Sequence, residues 1–245
     1  MVELNLPVFV ALLTGHLVGD FLLQSRTMAH HKRHLPTLLQ HVSIVTGISW
    51  LWTGLWWAWW LPLGLWGAHL LLDQVKVVLG DQRLGWFLVD QVGHLLSLVL
   101  LSLLLAPSLR LPWQALFPGF LPASILLAGA ILAVRFGGFL VGKTVQPLLA
   151  ELHADGGPRV PGLAGADRWI GMLERGLIFL LVVAGEPGGV GWLLATKGLL
   201  RFGEIREPGQ RKEAEYILIG TLLSFGWALV VAFATLRLLA VAGGG

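Results

Sequence analysis

The sequence predicts an all-α fold, a polytopic transmembrane helical bundle of about eight spans with both termini outside, and three observations carry that expectation. Hydrophobic residues make up 56% of the 245 positions and charged residues only 13%, with a mean hydropathy of +0.76, which leaves too little polar surface to clothe a water-soluble globule of this size. The apolar residues gather into runs of roughly 20 residues, the length that carries a helix across ~30 Å of hydrocarbon. These runs lack strand-like alternation, so in lipid they satisfy their backbone polar groups as helices.

In chain order the expected spans cover 6–25, 36–59, 62–79, 84–106, 121–149, 167–185, 189–206 and 213–241. The first has no basic leader and carries His16 and Asp20 inside its apolar run, so it reads as a retained span rather than a cleaved signal. Basic residues punctuate alternate connectors: Arg26, Lys32 and Arg33 after the first span, Arg83 after the third, and Arg206, Arg211 and Lys212 after the seventh. The opposite connectors, around Pro62, 108–120 and 185–189, hold little basic charge beyond Arg110. The positive-inside rule therefore places the basic connectors in the cytoplasm and both termini outside. Trp52, Trp56, Trp57, Trp59 and Trp60 then fall at the outer interface, where an indole keeps its ring in lipid and its N–H near water.

The Pro- and Gly-containing stretch from Pro107 to Pro122 divides the chain into a four-helix His/Asp domain, 1–118, and a four-helix domain, 119–245, with a Lys/Arg/Glu cluster. No sequence repeat joins the halves, which argues against the duplicated architecture of many transporters. The net charge of +3 is spread over short loops, so membrane lipids and not nucleic acid are the expected surroundings. Cysteine is absent, which excludes disulfides and thiolate metal sites and leaves imidazole, carboxylate and backbone oxygen as ligands.

Within the first domain, His16 and Asp20, His69 and Asp73, and Asp90 and His94 stand four residues apart on three helices, with His41 on a fourth. That spacing puts each pair on one helix face. Measured from the cytoplasmic ends at 1.5 Å per residue, Asp20, His41, Asp73 and Asp90 lie about 8–9 Å deep and His16, His69 and His94 about 13–15 Å. Because the third helix descends through His then Asp while the fourth rises through Asp then His, the agreement survives reversal of direction. Two layers result. Three carboxylates at one level cost on the order of 3 kcal/mol each unless compensated, and a divalent cation compensates them. Mixed imidazole and carboxylate ligation favours zinc, then manganese or iron, over calcium and magnesium. The plainer alternative is that the same groups are hydrogen-bonded glue between helices, or a proton relay. His30, His31, His34 and His153 are expected in solvated loops.

The motifs Gly15-His16-Leu17-Val18-Gly19-Asp20-Phe21-Leu22-Leu23-Gln24, His69-Leu70-Leu71-Leu72-Asp73 with Lys76, and Asp90-Gln91-Val92-Gly93-His94 resemble the bacterial membrane family known as domain of unknown function 3307, over about the first 110 residues. That family is in turn similar, through its membrane His-x-x-x-Asp pattern, to inner-membrane metal-dependent hydrolases. The resemblance implies a place in a bacterial inner membrane and a hydrolytic class without a substrate. Leu173-Glu174-Arg175, Lys197-Gly198-Leu199-Leu200-Arg201-Phe202 and Glu215-Tyr216-Ile217-Leu218-Ile219-Gly220-Thr221 resemble the C-terminal part of its longer members.

In the second domain Lys197, Arg201 and Glu204 share a helix face, and Glu174 and Lys197 are the innermost pair, able to neutralise one another. One expectation is a structural ion-pair network. The other is that Glu174, Lys197 and Arg201 line a substrate site, with Lys197 and Arg201 holding an anionic headgroup. Arg135, mid-span, must face protein or a cavity. Taken together, these features predict a metal-dependent membrane hydrolase of a lipid-linked or membrane-embedded ester or phosphoester. His16, His41, His69 and His94 would be ligands, and Asp20, Asp73 and Asp90 ligands or catalytic bases. The rivals are a proton- or metal-coupled transporter and a structural or partner-binding membrane protein.

Overall fold

The computed structural model describes residues 3–79, 83–154, 165–202 and 211–244, and among them every regular element is helical. In chain order these are α1 (Leu6–Leu17), a π-helical turn (Val18–Leu23), α2 (Arg26–His30), α3 (Leu35–Thr53), α4 (Trp60–Leu79), α5 (Leu84–Leu103), α6 (Pro112–Leu116), α7 (Phe120–Ile131), a second π-helical turn (Leu132–Phe136), α8 (Gly137–Ala154), α9 (Ala166–Val183), α10 (Gly189–Phe202) and α11 (Arg211–Gly243).

By length and composition, four helical stretches are apolar enough to cross a membrane: Leu6–Leu23, Leu84–Leu103, Phe120–Glu151 and Ala214–Gly243. The chain is thus an all-helical protein with the makings of a membrane protein. Helices α3, α4 and α9 reach 19, 20 and 18 residues but fall short in hydropathy. In α3 and α4 the cause is visible, since they carry His41, His69, Asp73 and Lys76. The expected second span ends early, at Thr53 rather than 59, because Gly54 takes a left-handed conformation (φ 67°) that stops the helix. A Cβ at Gly54 would also lie 2.8 Å from the Trp113 indole nitrogen, and that nitrogen donates to Leu51 O at 2.9 Å.

The chain divides into two compact units, Met1–Ile131 with Leu238–Gly245, and Leu132–Arg237. In the first unit α1 is central, packing on α3, α5 and α7, while α3 packs on α4 and α4 on α5. Asn5 secures its start: its side chain accepts from Val8 N and donates to Ala106 O and Leu109 O, tying the helix to the loop after α5. The closest approach is between α1 and α3. A Cβ on Gly15 would sit 2.5 Å from Ser49 Cα, and one on Gly19 2.9 Å from Val45 Cα. Two glycines four apart thus let the backbones touch, the usual device where helices gain no hydrophobic drive from each other.

The polarity of α4 and α5 is inverted relative to a soluble protein. On α5, Val89, Val92, Leu96 and Leu100 point outward while Asp90 and His94 are buried, and on α4, Leu71 and Val78 are exposed while His69 and Asp73 are buried. Such an arrangement suits lipid outside and polar contacts inside.

In the second unit the π turn at Leu132–Phe136 disturbs the helical hydrogen-bond ladder, and side chains take up its carbonyls. Trp227 Nε1 donates to Leu132 O at 2.9 Å, and buried Arg175 donates to Val134 O through Nε (3.2 Å) and Nη2 (3.1 Å) and to Ser224 Oγ through Nη1 (3.0 Å). Gly138 and Gly171 make room for that guanidinium, since a Cβ on either would stand 3.0 or 3.2 Å from its nitrogens.

Candidate metal centre

Five elements of the first unit carry the seven His and Asp residues into one buried cluster. His16 lies on α1, Asp20 on the π turn, His41 on α3, His69 and Asp73 on α4, and Asp90 and His94 on α5. The Gly15–Gly19 contact with α3 brings Asp20, next in sequence to Gly19, up against His41. The π turn sets Asp20 on a local widening of the helix, a feature common where a helix serves a site.

The tightest part is a group of four atoms. His41 Nε2 and His69 Nε2 face each other at 3.2 Å. Asp20 Oδ1 is 3.2 Å from His41 Nε2 and 3.6 Å from His69 Nε2. Asp73 Oδ2 is 3.5 Å from both. A tetrahedral ion with bonds of about 2.0–2.1 Å requires its ligand atoms to stand about 3.3–3.5 Å apart, and these five distances, 3.2–3.6 Å, lie close to that spacing. Two imidazole nitrogens and two carboxylate oxygens are also the donor set that suits zinc and its neighbours.

Around this core lie the remaining groups. His16 Nε2 is 3.5 Å from Asp20 Oδ2. The rings of His16, His69 and His94 form a second layer, with centroids 4.4–5.3 Å apart. His94 Nδ1 lies 2.9 Å from the Asp90 backbone oxygen; a carbonyl only accepts, so Nδ1 carries the proton and Nε2 presents its lone pair. That Nε2, Asp20 Oδ1 and Asp90 Oδ1 are buried without a hydrogen-bond partner. Orphaned acceptors of this kind are costly in a closed interior and natural as ligands. Three overlapping groups, His16–Asp20–His69, His41–His69–Asp73 and Asp73–Asp90–His94, bring their ligand atoms within 4.8 Å and could each hold a metal ion. Beside the imidazole layer a small cavity is lined by His16, Thr46, Ser49, His69 and Ser97, among others.

Two lysines complete the cluster, and sequence reasoning did not place them there. Lys32 Nζ donates to both oxygens of Asp73, at 3.0 and 2.8 Å, and Lys76 Nζ donates to Asp90 Oδ2, which Gln91 also contacts at 2.9 Å. Lys32 reads in sequence as one topogenic charge among several in a basic connector, and nothing in its spacing points at Asp73. Lys76 stands three residues after Asp73 and was legible only as part of a motif.

In the second unit Lys197 Nζ donates to Glu174 Oε2 at 2.7 Å and lies 5.7 Å from the Phe225 ring centre, so this pair neutralises itself. Arg135 faces protein, with Nη1 3.9 Å from Met172 Sδ. His30 and His153 stand in helical backbone rather than in loops, at the ends of α2 and α8, while His31 and His34 lie in the following turn; His30, His31 and His34 are exposed. Glu204 and Arg206, and the side chains of Arg201, Arg211 and His153, lie outside the described residues.

Fold and cluster together define an all-helical protein, suited to a membrane, whose buried His and Asp groups could hold a metal ion. Residues 8–118 match the model of a family described as "Protein of unknown function (DUF3307)". This segment contains all seven cluster residues and the motifs that resemble the same family. No curated protein and no solved structure matches the chain.

Proposed function

We propose that the protein is a metal-dependent hydrolase of a lipid-linked or otherwise membrane-embedded ester or phosphoester. In this reading the eight spans expected from the sequence cross a bacterial inner membrane and the site opens toward the cytoplasm. The observation that carries it is the close approach of Asp20 Oδ1 and Asp73 Oδ2 to the facing nitrogens His41 Nε2 and His69 Nε2. A divalent ion bound there, zinc first among the candidates, supplies Lewis acidity to polarise an ester or phosphoryl oxygen and to acidify water.

The chain's own residues supply the rest. Lys32 competes for Asp73 through both carboxylate oxygens. An ion at this position would be held by His41, His69, Asp20 and Asp73, with Asp73 shared between the ion and Lys32. Asp90, with one oxygen paired to Lys76 and the other without a hydrogen-bond partner, is placed to accept a proton, and its backbone oxygen fixes the tautomer of His94. Burial of the cluster excludes bulk water from competing.

The test is turnover by the purified protein in nanodiscs, loaded with zinc, manganese or iron and given a panel of phospholipid and acyl-ester substrates. The expected result is metal-dependent product release that falls about 100-fold or more in Asp90→Asn while metal content is kept. Metal flux into sealed vesicles without turnover of any substrate would replace this reading by a transporter.

A further inference from the structure

We infer that Lys32 and Lys76 form an oxyanion-binding subsite beside the metal position, and that the group it takes is a phosphate. The inference rests on the metal reading above and deepens it by naming the charged part of the substrate.

Charge is the first argument. The cluster holds three carboxylates, Asp20, Asp73 and Asp90, and two ammonium groups paired with them, Lys32 and Lys76. With neutral imidazoles these five side chains carry one net negative charge, and a single divalent ion turns that into one net positive charge. A surplus cation among apolar helices demands an anion. The same arithmetic argues for one ion rather than two, since a second would leave three positive charges.

Geometry is the second. Asp73 and Asp90 belong to one group whose ligand atoms lie within 4.8 Å, so the ammonium groups bound to them flank the same small volume. The Asp73 oxygen that Lys32 holds at 2.8 Å is also the one 3.5 Å from His41 and His69. An ion bound at that oxygen weakens its hold on Lys32, whose donors then turn to another acceptor. Lys76 is the open side: its side chain is 39% exposed while its partner Asp90 is 5% exposed. Phosphate fits better than carboxylate, because its additional oxygens can meet an ion and two separate point charges together, the manner in which lysine binds phosphate.

The phosphate could belong to a lipid headgroup or to a soluble monoester, and the experiment separates them. Binding of radiolabelled orthophosphate is measured by equilibrium dialysis on the full chain in neutral detergent, with zinc content read on the same samples. Zinc-loaded wild type should bind phosphate, and zinc-free protein should bind it about tenfold or more weakly. Lys76→Met and Lys32→Met should each lose about tenfold with zinc content kept, the loss of one charge-assisted hydrogen bond. Lys76→Arg should stay near wild type. Displacement by phosphatidic acid in nanodiscs, with no effect of phosphatidylcholine nanodiscs or glycerol phosphate, assigns the ligand to a lipid; displacement by glycerol phosphate alone assigns it to a soluble monoester. Zinc bound without phosphate, or phosphate bound equally by the lysine variants, overturns the inference and leaves the metal reading standing. Protein that takes up none of zinc, manganese and iron overturns both. Should Lys32→Met not fold, the partly exposed Lys76→Met decides.

Discussion

At the scale of single residues, the cluster joins what spacing can announce to what it cannot. His16/Asp20, His69/Asp73 and Asp90/His94 were legible because a four-residue step on a helix has one geometric meaning, and all six side chains do reach one cluster. His41, a lone histidine, was legible only through its expected depth, and its Nε2 stands 3.2–3.5 Å from Asp20, Asp73 and His69 alike. Lys32 was not legible, because its contact with Asp73 spans 41 positions and depends on how the turn before α3 folds back. His94 gives the sharpest residue-level prediction, since its Nδ1 proton is spent on a backbone carbonyl and its Nε2 has no protein partner. Replacing His94 by Phe keeps the ring and removes the lone pair. Zinc affinity should fall about tenfold or more, while unfolding of the metal-free protein shifts by only about 1 kcal/mol. A purely structural histidine would show the stability loss without the change in zinc titration.

Among elements, the helices themselves were readable from apolar length, while their ends and distortions were not. The α3 stop at Gly54 depends on a left-handed residue beside Trp113, and the two π turns depend on tertiary partners such as Arg175 and Trp227 for the second. The α1–α3 contact makes a prediction of its own. Gly15→Ala places a Cβ 2.5 Å from Ser49 Cα, so the helices must part; the expected cost is about 1–3 kcal/mol, with weaker metal binding because Asp20 moves away from His41. Thermal unfolding and zinc titration of the variant check both. On α9 and α10, Glu174 and Lys197 form a partly buried pair. Glu174→Gln or Lys197→Met alone should destabilise by about 1–3 kcal/mol, less than a fully buried pair because water reaches it. The double variant should recover most of that loss if the pair serves packing, and a double-mutant cycle in unfolding experiments measures the coupling.

For the whole molecule, composition alone announced a helical membrane protein, and the outward apolar faces of α4 and α5 around their buried acids agree with it. Orientation follows from the basic connectors: reporters placed after Arg33 and Arg83 should read cytoplasm and one after Ser108 should read outside. What composition could not supply was the packing that turns four separated helices into one buried His and Asp cluster, because that depends on glycine contacts and a π turn rather than on hydropathy. The central claim is that this cluster holds a metal ion, and metal analysis with X-ray absorption on detergent-purified protein tests it most directly. The account predicts about one transition-metal ion per chain, with nitrogen and oxygen neighbours at about 2.0–2.1 Å, lost in His69→Ala and Asp73→Ala variants that still fold. Protein that stays metal-free after purification without chelator, and after reconstitution with zinc, manganese and iron, would contradict it.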